Sequence, residues 1–436
     1  MRAKLQEAQG GCQSAILPRR GGCGGKGANR RGVGDRAEAP RSRGQGMRQD
    51  RGTAEIDHAA LRANFEVARQ ASAGLDCIAV VKADAYGHGA VAVSKTLVAA
   101  GASALAVVTV DEAVELRDAG IEVPILLFGG LHSEAEAREA SERELTPTVH
   151  HEEGLRRILL QARQRSRPWK IHCKVDTGMR RMGLAPEAIT KALETLSDAA
   201  EIEVEGLFTH LACADDPDLG FSLAQLAEFR GVLARATDRG LCPPVIHVAN
   251  SAALLAGDAL REALPEATAC RPGLMLYGAR PAPHFETPLR PVMTLRAPVV
   301  NLRDLKAGES VGYGATYRCA RATRVATLPM GYADGVPVAL GNRGAVWLRG
   351  ARRGIAGRVS MDYFCVDLGG GEASDGSNVV LGDAAVLFGR QEGGGEGSVP
   401  TVEAVAEQAG TIPYELLVRV GARISRQPID FEAPAG

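Results

Sequence analysis

Short apolar runs recur along the middle of the chain, each followed by a longer stretch whose apolar positions fall at helical spacing. The runs predict strands at Ile78 to Lys82, Ala104 to Val108, Pro124 to Phe128, Leu145 to Val149, Lys170 to Val175, Val204 to Thr209, Val245 to Val248 and Cys270 to Leu276. Helices are predicted between them. Asp111 to Gly120 carries acidic residues in its first turn and a glycine past its end, and Pro186 with Glu187 opens another helix. Eight strand-helix units in about 200 residues suggest a (β/α)8 TIM-type barrel, whose site lies at the strand carboxyl ends. A doubly wound open sheet has the same periodicity and stays as the alternative.

After Pro291 the texture changes. Glycine becomes frequent, valine abundant and long helical patterns scarce, as in Pro291-Val292-Met293-Thr294-Leu295, Val325-Ala326-Thr327-Leu328, Ala345-Val346-Trp347-Leu348 and Val379-Val380-Leu381. These read as strands of a separate, mostly β domain. Thr401 to Gly410 and Tyr414 to Val420 read as helices, and Glu392 to Gly397 as a surface loop. The predicted organisation is an amino-terminal extension over residues 1–50, a barrel domain over 51–290 and a β domain over 291–436. The extension is rich in Arg and Gly and lacks apolar periodicity, so it is read as disordered or non-native.

The formal net charge of -1 over 436 residues argues against nucleic acid as the main partner. No apolar run approaches the roughly 20 residues of a membrane span, so no membrane association is expected. The nine cysteines are odd in number and include no Cys-x-x-Cys pair, which fits a reduced, cytoplasmic setting.

Chemistry collects at the predicted strand ends: Lys82, Lys174 with Asp176, Thr209 with His210, His247 with Asn250 and Ser251, and Arg271. A barrel brings such ends to one mouth. Lys82 stands out because the apolar run Ala79-Val80-Val81 delivers it directly into Ala83-Asp84-Ala85-Tyr86-Gly87-His88-Gly89.

That segment resembles the cofactor-lysine motif of alanine racemases. The resemblance runs from about residue 54 to the end. It is carried also by His172-Cys173-Lys174-Val175-Asp176-Thr177-Gly178-Met179-Arg180-Arg181-Met182-Gly183, Phe208-Thr209-His210, His247-Val248-Ala249-Asn250-Ser251 and Arg271-Pro272-Gly273-Leu274-Met275-Leu276-Tyr277-Gly278. The β domain adds Val311-Gly312-Tyr313-Gly314-Ala315-Thr316-Tyr317, Gly331-Tyr332-Ala333-Asp334-Gly335, Gly357-Arg358-Val359-Ser360-Met361-Asp362 and Ile412-Pro413-Tyr414-Glu415.

The resemblance implies a homodimeric isomerase using pyridoxal 5'-phosphate (PLP), interconverting L- and D-alanine and supplying D-alanine for peptidoglycan. Lys82 would carry the cofactor and act as one base, and Tyr313 would be the second base, reaching across from the partner subunit. Arg271 would face the pyridine nitrogen, with His210 in the same hydrogen-bonded network. Tyr86, Asn250, Ser251, the backbone at Gly273 and Leu274, and Tyr414 would hold the cofactor, mainly at its phosphate. His247 would lie near the ring. Arg181 would contact the phenolic oxygen and the substrate carboxylate, which Met361 would help bind. Lys174 matches a lysine that is carbamylated in many relatives. No metal is implied.

Two positions depart from the family pattern: Gly312 stands where serine is frequent and Ser360 where cysteine is common. Both residues are small, so modest effects on geometry are expected. A broad-specificity amino-acid racemase and a non-catalytic PLP-binding protein are the alternatives. Arg271 also disfavours a barrel decarboxylase, in which a carboxylate is expected at that position.

Overall fold

The computed structural model describes residues 51–370, 378–390 and 399–430. The expectations for residues 1–50 and for Glu392 to Gly397 lie outside these.

A closed parallel barrel is made by β2 (Asp76–Val80), β3 (Ala104–Val107), β4 (Ile125–Leu127), β5 (Thr146–Val149), β6 (Trp169–Lys174), β7 (Ile202–Phe208), β8 (Val245–His247) and β9 (Ala269–Cys270). Asp76 pairs with Ala269 and Cys77 with Cys270, so β9 returns to β2 and the open sheet is excluded. The intervening helices are locally specified. Val110–Asp118 starts in a capping box, with the Thr109 side chain accepting from the Glu112 N–H and the Glu112 carboxylate returning to the Thr109 N–H.

The second sheet has nine strands. It contains β10 (Met293–Pro298), β11 (Asn301–Leu305), β14 (Thr323–Leu328), β15 (Ala345–Leu348), β16 (Ala351–Ala356), β17 (Phe364–Gly369), β18 (Ala384–Phe388) and β19 (Ser425–Ile429), plus β1 (Thr53–Asp57) from the start of the described chain. A separate two-stranded piece, β12 (Ser310–Val311) with β13 (Tyr317–Arg318), carries the Tyr313 loop. β1 runs antiparallel to β10 and parallel to β19. The domain reading of 51–290 places this segment in the barrel, but its first strand belongs to the other sheet. Ala54 and Ile56 are buried there, while Asp57 caps the helix His58–Ala71 by accepting from the Ala60 N–H at 2.9 Å.

Four local expectations shift. β2 stops at Val80, two residues before Lys82. The last barrel strand ends at Cys270 rather than Leu276, since Pro272 has no N–H for a ladder, and Leu274–Tyr277 forms a 3-10 turn. Pro186 and Glu187 form a turn ahead of the helix Ile189–Ser197 rather than opening it. Val379 to Leu381 is no strand: Val380 and Leu381 are exposed, and the Val380 N–H donates to the Asp383 carboxylate in a turn leading into β18. The expected carboxyl-terminal helices are present as Val402–Ala409 and Pro413–Val418.

Candidate active site

Lys82 opens a turn that places it at the barrel mouth. The next four residues, Ala83 to Tyr86, all have φ between 51° and 53°, a left-handed run costing about 1–2 kcal/mol per residue. Neighbouring groups hold it in place. Glu112 accepts from the Ala83 N–H at 2.6 Å, Asp84 accepts from the Ala90 N–H at 2.7 Å, and the Tyr86 ring stacks on Tyr277 at 4.7 Å. The Tyr277 hydroxyl in turn donates to the Val80 carbonyl at 2.9 Å. Burial, then the nearby Arg181 charge, pulls the Lys82 amine below the usual lysine range.

Arg271 lies 3% exposed beside Phe208, whose ring centre is 5.0 Å away. Its guanidinium donates to the carbonyls of Thr209 (2.9 Å) and Val248 (2.8 Å), and it meets His247 Nδ1 at 2.7 Å and His210 Nδ1 at 3.3 Å. Burial lowers its pKa to about 9, which still leaves it charged at neutral pH. His210 is pushed down to about 3 by burial and then by Arg271, so it is a neutral imidazole. His247, expected near the cofactor ring, has no exposed surface, is not among the residues bordering the cavity at this mouth, and meets the Arg271 guanidinium through Nδ1.

Small groups and hydroxyls gather at another wall. Ser251 Oγ accepts from the backbone N–H of Gly273 at 2.9 Å and of Met275 at 3.3 Å. A Cβ at position 273 would fall 2.7 Å from the Tyr86 hydroxyl, so only glycine permits this approach. Tyr414 is 6.2 Å from Tyr86 between ring centres, and burial pushes its phenol up to about 12. The Asn250 side chain caps the helix Ser251–Leu255 by accepting from the Ala253 N–H.

These groups line one cavity of about 390 Å³. Lys82, Tyr86, Lys174, Arg181, His210, Asn250, Ser251, Arg271, Gly273, Leu274 and Tyr414 all border it. Lys174 is 7% exposed, and burial with the Arg181 and Arg271 charges lowers it to about 8. Four basic side chains and no acidic one appear among the described lining residues, which suits an anionic ligand carrying a phosphate and a carboxylate. Among the described residues no cluster suited to a metal occurs. Tyr313 and Met361 do not reach this cavity in their own chain and are 72% and 52% exposed.

Sequence reasoning missed Phe128, Phe208 and Met182 as walls and Glu112 as the support of the lysine turn. Glu112 carried a signal, the Thr109-x-x-Glu112 capping pattern, but its second contact lies 29 positions away.

Comparison with known proteins decides among the enzymes such a cavity could serve. Residues 56–281 match the family model "Alanine racemase, N-terminal domain" and residues 292–428 match "Alanine racemase, C-terminal domain". The chain belongs to the alanine racemase family. An alanine racemase of Sorangium cellulosum is 41% identical over 381 residues, covering 86% of this chain and 97% of the relative. The crystal structure of the alanine racemase of Streptomyces lavendulae superposes with a TM-score of 0.80 at 37% identity, over 88% of this chain and 98% of that one. The Bacillus anthracis alanine racemase, solved with bound L-Ala-P, gives a TM-score of 0.78 at 32% identity, over 87% and 95%. Alanine racemases are PLP-dependent isomerases, and racemisation of alanine is the activity these relatives support.

Proposed function

We propose that the chain interconverts L- and D-alanine by a two-base mechanism with PLP in the 390 Å³ cavity, and so supplies D-alanine for peptidoglycan. The carrying observation is the meeting of Lys82 and a buried, doubly anchored Arg271 at one barrel mouth. When bound, the cofactor supplies an aldehyde for the substrate amine and a conjugated ring that accommodates the electron pair left by the departing Cα proton.

Lys82 would hold the cofactor and, once released, act as a neutral amine that takes the Cα proton on one face. Its lowered pKa favours that form. Tyr86, Ser251, Gly273, Leu274 and Tyr414 would bind the phosphate, and Asn250 would shape that wall through its cap. Arg181 would hold the substrate carboxylate. Arg271 donates and does not accept, so opposite the pyridine nitrogen it would leave that atom unprotonated and favour racemisation over side reactions.

The proton donor on the opposite face would be Tyr313 of a second copy, with Met361 of that copy helping at the carboxylate. Their exposure, and that of Tyr363, Ile412 and Val418, support a homodimer with shared sites. A cytoplasmic location agrees with seven described cysteines free of disulfides and, among described helices, none long and apolar enough to cross a membrane.

A racemisation assay of the PLP-loaded protein over a panel of L-amino acids tests this reading. Alanine should have the highest kcat/KM. Preference for a larger amino acid would replace it with a broad-specificity racemase, and absence of turnover on every substrate would reject an enzyme.

A further inference from the structure

The hydrogen bonds at Arg271 continue away from the cavity. His247 Nε2 lies 2.8 Å from His172 Nδ1, His172 Nε2 lies 3.4 Å from a Glu205 oxygen, and the other Glu205 oxygen accepts from Lys170 Nζ at 2.7 Å. We propose that Glu205, His172 and His247 are positioning residues for Arg271: their directed hydrogen bonds fix one tautomer of His247 and thereby hold the guanidinium in a single orientation. The proposal rests on the reading of Arg271 as the residue facing the cofactor ring.

Direction follows from chemistry. A guanidinium can only donate, so His247 Nδ1 must accept. A neutral His247 then carries its proton on Nε2 and donates to His172 Nδ1. That leaves the His172 proton on Nε2, facing Glu205, which accepts when ionised. Reversing His247 would set two donors against each other at its Nδ1, and reversing His172 would set two donors against each other at His247 Nε2 and a lone pair against the Glu205 carboxylate. Burial pushes both histidines below their ordinary pKa, while the His172 hydrogen bond holds Glu205 down at about 2. Both rings are thus neutral and the carboxylate charged.

The path is built into the barrel. Lys170, His172 and Lys174 alternate along β6, so they share one face of the strand. His172 reaches His247 on β8 past β7, and it can do so because Gly206 stands between: a Cβ there would fall 2.4 Å from His172 Nδ1. Phe208, next but one on β7, stacks on His247 at 4.5 Å and 17°. His172 and His247 are 4% and 0% exposed, whereas Lys170 is half exposed, so the line runs from the cavity floor through the interior to solvent. Among the described residues no carboxylate pairs directly with Arg271. Glu205 is the acid at the far end of its hydrogen bonds.

The test is nitrogen NMR of the imidazole-labelled enzyme, with and without PLP, on wild type, Glu205→Gln and Glu205→Leu. In wild type both His172 and His247 should be neutral, with bare Nδ1 and protonated Nε2. A protonated Nδ1 or an imidazolium at either ring overturns the proposal. Glu205→Leu should lower the tautomer ratio by about tenfold or more, the weight of one hydrogen bond to a charged group. It should lower kcat by a similar factor with KM within about twofold. Glu205→Gln, which still offers an accepting oxygen, should recover most of both. Loss of thermal stability in Glu205→Leu with unchanged tautomers and unchanged kcat would make the chain merely structural and overturn the idea. Should Glu205→Leu not fold, the wild-type tautomers and the Gln variant still decide. An unreactive wild type with the expected tautomers would instead count against the racemase reading.

Discussion

Glu112 holds the N–H of Ala83 at 2.6 Å, joining the capping box of one barrel helix to the residue directly after Lys82. Its second oxygen accepts from Val108 at 2.8 Å and Thr109 at 3.1 Å. One carboxylate thus ends strand β3, starts a helix and restrains a left-handed turn whose conformation costs free energy at every residue.

Glu112→Ala should therefore destabilise the fold by about 1–2 kcal/mol in denaturant unfolding and reduce kcat/KM as Lys82 loses its fixed aim. Glu112→Gln, with one accepting oxygen, should recover part of each. Equal stability of Ala and wild type would show that the turn is held by other contacts.

Gly273 is tested by its own missing side chain. Gly273→Ala places a carbon 2.7 Å from the Tyr86 hydroxyl. PLP affinity, read by absorbance titration, should fall by on the order of tenfold, as one phosphate contact is displaced. The apo protein should lose stability as well, by about 1–3 kcal/mol, because the Tyr86 ring it meets is buried.

The proposed sharing of sites between two subunits is tested by complementation. Lys82→Ala and Tyr313→Phe should each be inactive or nearly so as homodimers. After the two are mixed and subunits exchanged, half the dimers carry one variant of each kind, and one of their two sites is intact, so about a quarter of wild-type activity should return. No recovery despite proven exchange would place Tyr313 in its own subunit's site.

Lys174 gives a pH dependence. Its pKa is about 8 in the fold and about 10.4 in an unfolded chain, so between these values the unfolded state binds more protons. Stability should rise with pH through that window, by at most about 1.4 kcal/mol per pH unit from this group, and Lys174→Met should flatten the slope in carbonate-free buffer. The same depressed pKa makes a neutral amine available to carbon dioxide. Intact mass of the native protein should then show the gain of one carbon dioxide, and a mass without it would show a plain amine.

Much of this was legible in the sequence because it is local. Alternating apolar runs marked seven barrel strands nearly in place, and the eighth began one residue from its mark. The Lys82, Arg181, Arg271 and Ser251 positions followed from their motifs. The errors were of another kind. Val379 to Leu381 has the composition of a strand yet turns on an Asp383 side chain, and Thr53–Asp57 joined a sheet whose other strands begin more than 200 residues later.

Residue order alone marked most of the extended segments and the charges that follow them, since these depend on neighbours within a turn or two. The packed fold was needed to show that β9 closes on β2, that His247 bonds Arg271, and that His172 meets His247 across Gly206. Those contacts depend on how far a barrel strand tilts and what its neighbour leaves empty, and neither is written in the spacing of residues along one chain.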